Sequence, residues 1–403
     1  MPQYYIDLFA GCGGLSLGLY NSGWHGLFAI EKSPDAFLTL SSNLIEKKNH
    51  YSWPSWLPKS NLDIYEVISK YNDQLKALQG QVALVVGGPP CQGFSLAGRR
   101  KASDSRNELF SAYLQFIRLV KPDTLLFENV HGFTIGFSDE NGKKGDPYSK
   151  KITKELETEG YTVLSKLIDV SEYGVPQRRK RFILIASKTI SPKKFFEKLE
   201  NDRDSFLKKK GLSSPVCIKD AIGDLLMKNG TVECPDYKGF KSGVYGPAKS
   251  AYQKYMRQNS TGKIPNSHRF AQHRDSTLEM FRKIIQESKQ TKRYTPKTFD
   301  GLKKRSLTAV KADSVSPTVT SIPDDILHYC EPRIPTVREM ARIQSFPDWY
   351  EFKGKYTTGG NRRKLEVPRY TQVANAVPPL FAEQIGSVLK ELITSGGESS
   401  LQS

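Results

Sequence analysis

One cysteine in this 403-residue chain stands in a setting unlike that of an ordinary buried thiol. Cys91 follows Gly87-Gly88-Pro89-Pro90 and precedes Gln92-Gly93-Phe94-Ser95, directly after an apolar strand pattern over residues 82–86. Two prolines restrict the backbone and hold the thiol at a strand end, while the glycines permit tight turns. Cysteine is most often a small buried hydrophobe. Rigid display in a polar loop suits a thiolate nucleophile instead. Two other groups could act with it: Glu128 in Glu128-Asn129-Val130, and the run Gln177-Arg178-Arg179-Lys180-Arg181. Each lies at the end of a strand pattern. Singly they are ordinary surface features; together a carboxylate, guanidinium groups and a thiolate can converge on one small polar ring.

A further cluster is Asp7-Leu8-Phe9-Ala10-Gly11-Cys12-Gly13-Gly14-Leu15-Ser16-Leu17-Gly18. A strand, a glycine-rich turn and a helix start let backbone N–H groups approach a ligand closely. Ser16 stands where the dinucleotide fingerprint needs its third glycine, so the turn alone is a weak signal. Glu31, directly after the next strand pattern, is placed to accept hydrogen bonds from ribose hydroxyls, and Asp63 to meet an adenine amine. Alone, Glu31 reads as a surface carboxylate and Asp63 as a helix cap.

The elements that must position these residues are legible as alternating short apolar runs and amphipathic stretches through the first 190 residues. Strands are expected at 4–9, 26–30, 82–86, 124–127, 161–167 and 181–186, in a parallel α/β sheet. Ligands of such sheets bind beyond the carboxyl ends of the strands, where the unusual residues fall. From about 188 the periodicity weakens, although aromatic residues persist. Regular helical patterns return at 337–345 and 380–393. The expected organisation is an α/β domain bearing the candidate site over 1–187 and a smaller, irregular domain over 188–369. A C-terminal helix over 370–394 returns to the first domain, and 395–403 form a flexible tail.

Composition narrows the partners. The net charge is +18, and residues 188–327 carry 28 Lys and Arg against 15 Asp and Glu, so +13 of the excess lies there. Such a concentration fits a polyanionic partner. A mean hydropathy of −0.50 without a long apolar run argues against a membrane span. The N-terminal residues enter a strand pattern directly, so a cytoplasmic protein without a cleaved leader is expected. The five cysteines are odd in number and form no Cys-x-x-Cys pair, and His268 and His273 lack a cysteine pair nearby. No metal site is expected, and free thiols suit a reducing compartment.

Taken in order, these blocks resemble the DNA (cytosine-5) methyltransferases of bacterial restriction–modification systems. The resemblance extends from Asp7 to about Val388. It includes Thr336-Val337-Arg338-Glu339-Met340-Ala341-Arg342-Ile343-Gln344-Ser345-Phe346-Pro347-Asp348 and Gln372-Val373-Ala374-Asn375-Ala376-Val377-Pro378-Pro379. It departs at Leu62 and Ala374, where the family favours glycine, which bears on cofactor affinity. The resemblance implies a Rossmann-like α/β sheet, S-adenosyl-L-methionine as methyl donor, and Cys91, Glu128, Arg179 and Arg181 as the catalytic group. It implies cofactor contacts from Phe9, Gly11, Gly13, Gly14, Glu31, Asp63, Ile64, Pro90, Leu109, Asn375 and Val377. DNA contacts are implied for Ser95, Arg99, Arg100, Lys101 and Gln177. The partner is double-stranded DNA with the target base flipped out of the stack. A cognate restriction endonuclease acting on the same site, without a stable complex, is the further implied partner, and one flipped base per event needs only a monomer. Rival readings are a tRNA cytosine methyltransferase with the same motifs, a nicotinamide-dependent oxidoreductase and a silent DNA-binding protein. The basic lobe disfavours the first, Ser16 and Pro-Pro-Cys the second, and the complete catalytic set the third.

Overall fold

A computed structural model describes residues 4–90, 106–135, 146–302, 304–358 and 366–399. They divide into two units, one comprising Met1–Asp169, Lys180–Arg203 and Ala382–Ser403, the other Val170–Arg179 and Asp204–Phe381. Residues 188–203 thus belong with the first unit, and residues 170–179 and 370–381 with the second.

The first unit is built on a six-stranded sheet whose strands are the β-branched and aromatic runs of the sequence. These are β1 (Tyr4–Leu8), β2 (His25–Ile30), β3 (Val82–Gly87), β4 (Thr124–Val130), β5 (Thr162–Asp169) and β6 (Lys180–Ser187), in the order β2-β1-β3-β4-β6-β5. The helices are α1 (Gly14–Asn21), α2 (Pro34–Leu40), α3 (Ile64–Lys70), α4 (Asn72–Lys76), α5 (Arg106–Val120), α6 (Tyr148–Thr158) and α7 (Pro192–Asn201). Local signals explain their starts. Ser33 and Ser191 cap α2 and α7, each with proline in the first turn, and Asp63 caps α3.

The expectation of a wholly parallel sheet needs correcting. The four strands β2, β1, β3 and β4 are parallel, but β6 runs antiparallel to both β4 and β5. The physical reason is the connection: only residues 170–179 separate β5 from β6. A parallel return needs a crossover of a dozen residues or more. The reversal places the first residues of β6 beside the carboxyl end of β4, with Arg181 paired to Val130 and Ile183 to Glu128.

The sheet packs Ile6, Leu8, Phe28, Val85, Leu125, Phe127 and Leu184 into one continuous core with Val67, Tyr113, Phe116 and Ile152 of the helices. Full burial of each aliphatic or aromatic side chain contributes about 1.5–3 kcal/mol, so the strand ends rest on a rigid support. The C-terminal helix Pro379–Ser399 continues past residue 394, where the flexible tail was expected to begin. Within the first unit it docks beside α1: Trp24 Nε1 donates to Gly386 O at 2.8 Å and Lys390 Nζ to Gly23 O at 2.6 Å.

The second unit has short strands, β7 (Thr231–Glu233) paired with β8 (Lys241–Gly243), and a small sheet of β9 (Lys292–Tyr294), β10 (Leu307–Ala309) and β11 (Ile326–Leu327). Phe281, Ile284, Tyr294, Leu302 and Leu307 form a separate core beneath that sheet. Its other framework is ionic. The helix Val337–Ile343 opens with a Thr336–Glu339 capping box, and Arg338, Glu339 and Arg342 are all fully buried. Glu339 receives both terminal nitrogens of Arg333 at 2.7 Å. Burial raises its carboxyl pKa, but Arg333 outweighs this and holds it at about 2. These residues organise the unit from inside.

Candidate active site

The strand-end residues of the first unit assemble from the register just described. Glu128 and Arg181 form an ion pair, Nε to Oε1 at 2.8 Å, with side chains 17% and 9% exposed. Burial of this degree strengthens the attraction and makes separation of the pair unfavourable. Next to it runs the arm that leads to the cysteine. Gly87 has φ 107, and a Cβ there would lie 1.9 Å from Leu8 O; one on Gly88 would lie 2.3 Å from Glu128 O. Only glycine allows both approaches. Asn129 Nδ2 donates to Pro89 O at 3.2 Å, so the strand that carries Glu128 also holds the Pro-Pro segment. Pro89 is buried and Pro90 exposed. Cys91 itself, with Ser95, Arg99, Arg100 and Lys101, lies outside the described residues.

The glycine-rich turn follows β1. Phe9, Gly11 and Gly13 have φ of 58, 56 and 85, and the left-handed Gly13 begins α1, with Gly14 as its first residue. Nothing lies within 4 Å of the position a Cβ would take on Gly11. Glu31 is half-buried; its carboxylate accepts from Gly11 N at 2.9 Å and from Ser33 N at 2.7 Å. Burial raises its pKa, opposed by those backbone donors. Asp63 accepts from Tyr65 N at 2.9 Å and pairs with Lys32 at 2.8 Å. Leu62 N donates to Glu31 O, which ties the two acidic residues' segments together. Ile64 is buried and Leu109 half-buried in the core nearby. Ser16, which breaks the dinucleotide fingerprint, has a positive role. Its hydroxyl donates to Asp7 Oδ2 at 2.5 Å and lies 2.6 Å from the Tyr51 hydroxyl, bracing the start of α1 against β1.

In the second unit, Arg179 is 2% exposed. Its Nη2 donates to Ala374 O at 2.6 Å and Ala376 O at 3.4 Å, and its Nη1 to Val319 O at 3.3 Å. Gln177, which the sequence reading places at DNA, is fully buried. Its amide donates to Gln344 Oε1 and its carbonyl oxygen accepts from Val319 N, both at 2.7 Å. It therefore braces Arg179 rather than facing solvent. Gln344 closes the cluster by donating to Val373 O at 2.7 Å. Asn375 is exposed and Val377 half-buried at the end of the helix Arg369–Asn375.

Sequence reasoning missed Asn129, Gln344 and the bond between Ser16 and Asp7. Asn129 and Gln344 lie inside motifs already noted, and buried amides beside chemistry-bearing residues were the available signal.

Sheet order, a strand-end acid paired with arginine and a glycine turn beneath an acidic strand end define an α/β fold with its candidate site at the strand ends. Comparison then identifies the family: the model for C-5 cytosine-specific DNA methylase matches residues 4–391, and the chain belongs to that family. Type II methyltransferase M.DdeI of Desulfomicrobium norvegicum is 30% identical over 94% of this chain and 86% of its own length. Type II methyltransferase M.Bpa9945I of Bacillus paralicheniformis is 34% identical over 91% and 82%. Among solved structures, one described as a prophage-encoded DNA modification methyltransferase of E. coli superposes with a TM-score of 0.68 at 22% identity, covering 97% of this chain and 99% of that one. The S. pombe Dnmt2 methyltransferase gives 0.56 at 14%, covering 96% and 98%. The last two likenesses show the fold. The chain is accordingly a DNA (cytosine-5) methyltransferase. No helix among the described residues is long and apolar enough to cross a membrane.

Proposed function

We propose that the chain transfers a methyl group from S-adenosyl-L-methionine to C5 of a cytosine flipped out of duplex DNA, with Cys91 as nucleophile. It serves as the cytoplasmic modification enzyme of a type II system, acting as a monomer and sharing its site with a cognate endonuclease. The observation that carries the chemistry is the buried Glu128–Arg181 pair at the strand end that also holds Pro89.

Cytosine C5 is too electron-poor to attack a methyl donor directly. Addition of the Cys91 thiolate to C6 forms a C–S bond and pushes the ring electrons toward C5, with charge growing on N3 and O2. The growing charge at N3 raises its basicity, and a proton taken up there is shared with the Glu128 carboxylate, which Arg181 holds in place at 2.8 Å. Arg179, oriented by the Ala374, Ala376 and Val319 carbonyls, is assigned to O2. After methyl transfer a base removes the C5 proton, the C5–C6 double bond reforms as Cys91 leaves as thiolate, and N3 gives up the proton it shared with Glu128.

The first unit's residues fit the donor. The open space over Gly11 admits a ligand against the backbone, Glu31 offers acceptors for ribose hydroxyls, and Asp63 offers one for an adenine amine. Phe9, Gly13, Gly14, Ile64, Pro90 and Leu109 are assigned to the same donor site, and Asn375 and Val377 to its methionine portion. The donor supplies a methyl on a sulfonium, a good leaving group. Residues 1–187 serve as the catalytic domain and 188–369 as the target-recognition domain, with Ser95, Arg99, Arg100 and Lys101 on phosphates.

The test is Cys91→Ser assayed with labelled donor on duplex DNA and, in parallel, on tRNA. The variant should bind duplex as the wild type does and methylate nothing. Duplex carrying 5-fluorocytosine should trap wild-type protein in a denaturant-resistant adduct. Methylation by Cys91→Ser at the wild-type rate, or labelling of tRNA alone, overturns the proposal.

A further inference from the structure

Arg269, in the second unit, is an arginine without an acid. It is 9% exposed, yet its side chain forms no hydrogen bond or ion pair among the described residues, and its Nε is buried with no partner. Aromatic rings hold it instead. The guanidinium carbon lies 4.0 Å from the ring centre of Tyr356, 4.1 Å from Phe240 and 4.7 Å from Tyr237. Tyr237 stands nearly perpendicular to both neighbours, at 83° and 87°, so the rings form the walls of a cage. Backbone pairing fixes the base of the cage: Arg269 bridges Ser242 on β8, and Phe270 N donates to Lys241 O.

Nearby acids are committed elsewhere. Asp236 pairs with Arg369 and also accepts from the Tyr356 hydroxyl at 2.9 Å and the Cys234 thiol at 3.2 Å. Glu233 pairs with Lys241. A buried charge is ordinarily matched by an opposite one. Cation–π contacts of this kind contribute about 0.5–2 kcal/mol each but leave the full positive charge in place. Nε is the only buried orphan atom of the side chain, so its two terminal nitrogens retain access to solvent. The result is a rigid donor fork whose side-chain ordering is complete before any ligand arrives, which lowers the entropy lost on binding.

We infer that the Arg269 guanidinium, presented by Tyr237, Phe240 and Tyr356, is a built contact for a backbone phosphate of duplex DNA. The inference rests on the DNA reading above and adds to it one specific anchoring residue. A fork of N–H donors matches a phosphodiester's oxygens bidentately, and Tyr237, 48% exposed, forms the outer rim of the cage. Nothing in the sequence distinguishes Arg269 from the other cations of its lobe. Only the fold shows that it is caged and unmatched.

The experiment titrates a labelled duplex of arbitrary sequence with the full chain over a range of salt concentrations, comparing wild type with Arg269→Gln and Arg269→Lys. Loss of one phosphate contact should make the slope of log K against log salt shallower by about 1 and weaken binding about tenfold at low salt. The weakening should be the same on every duplex sequence tested. Arg269→Lys, which keeps the charge without the fork, should keep the slope with weaker binding. A purely structural role would lower thermal stability and leave the slope unchanged, which overturns the inference; so does a loss confined to one DNA sequence. Should Arg269→Gln fail to fold, hydroxyl-radical footprinting of the wild-type chain decides instead: DNA should protect Tyr237, and unchanged oxidation there overturns the contact. Wild-type protein that neither binds nor methylates duplex refutes the proposed function itself; normal methylation with an unaltered Arg269→Gln slope refutes only this inference.

Discussion

The link between Asn129 and Pro89 gives a quantitative expectation. Asn129→Ala removes a buried amide whose 3.2 Å bond to Pro89 O ties the strand bearing Glu128 to the segment two residues before Cys91. A neutral buried hydrogen bond contributes about 0.5–1.5 kcal/mol net, and this one is at the long end of the normal range. About 1 kcal/mol is therefore the expected loss, which corresponds to about a fivefold fall in the population of the productive arm. If that population limits attack, single-turnover adduct formation with 5-fluorocytosine duplex should slow about fivefold. Donor affinity should barely change, because Glu31 follows β2 and Asp63 caps α3, away from β4. Thermal stability should fall by about 2–4 °C. Asn129→Asp should be slower still, since it sets a carboxylate oxygen against the carbonyl. An adduct rate equal to wild type in Asn129→Ala, alongside the expected loss of stability, would show that the bond supports the fold alone and would refute the reasoning.

Two further outcomes concern stability. Arg342→Met removes the guanidinium that contacts Asp224 and Asp348 at 2.6 Å each, leaving Asp224 to Arg257 and Asp348 to Tyr245 and Arg338 in a buried site. Removing one partner of a buried charge cluster costs about 3–5 kcal/mol, and a loss below about 1 kcal/mol in urea unfolding would contradict the ionic framework described here. Asp7 has its carboxyl pushed up to about 7 by burial, against the Ser16 hydrogen bond that lowers it. Its folded pKa lies above the unfolded value of about 3.9. The stability it contributes is therefore complete below about pH 4 and lost as pH rises to about 7. Asp7→Asn should abolish that decline, and parallel pH profiles for variant and wild type would exclude it.

Much of the site was legible in the sequence because its signals are local. Pro-Pro-Cys, the glycine turn before α1 and the acids after strand patterns each depend on backbone rules that act over a few residues, and periodicity located the six strands of the sheet. Strand direction was not local. The ten residues between β5 and β6 are too few for a crossover, and the resulting antiparallel strand brings Arg181 to Glu128. Motif membership also does not tell which side chains of a run are enclosed: Gln177 sits in the same basic run as Arg181, and its side chain is held between Gln344 and Val319. Arg269 shows the same limit from the other side. Sequence by itself determined the reaction class and the elements that carry its residues, because backbone chemistry and hydrophobic period are written along the chain. Tertiary structure alone decided which charges are paired, which are caged and which remain open to a ligand, because those depend on partners well separated along the chain.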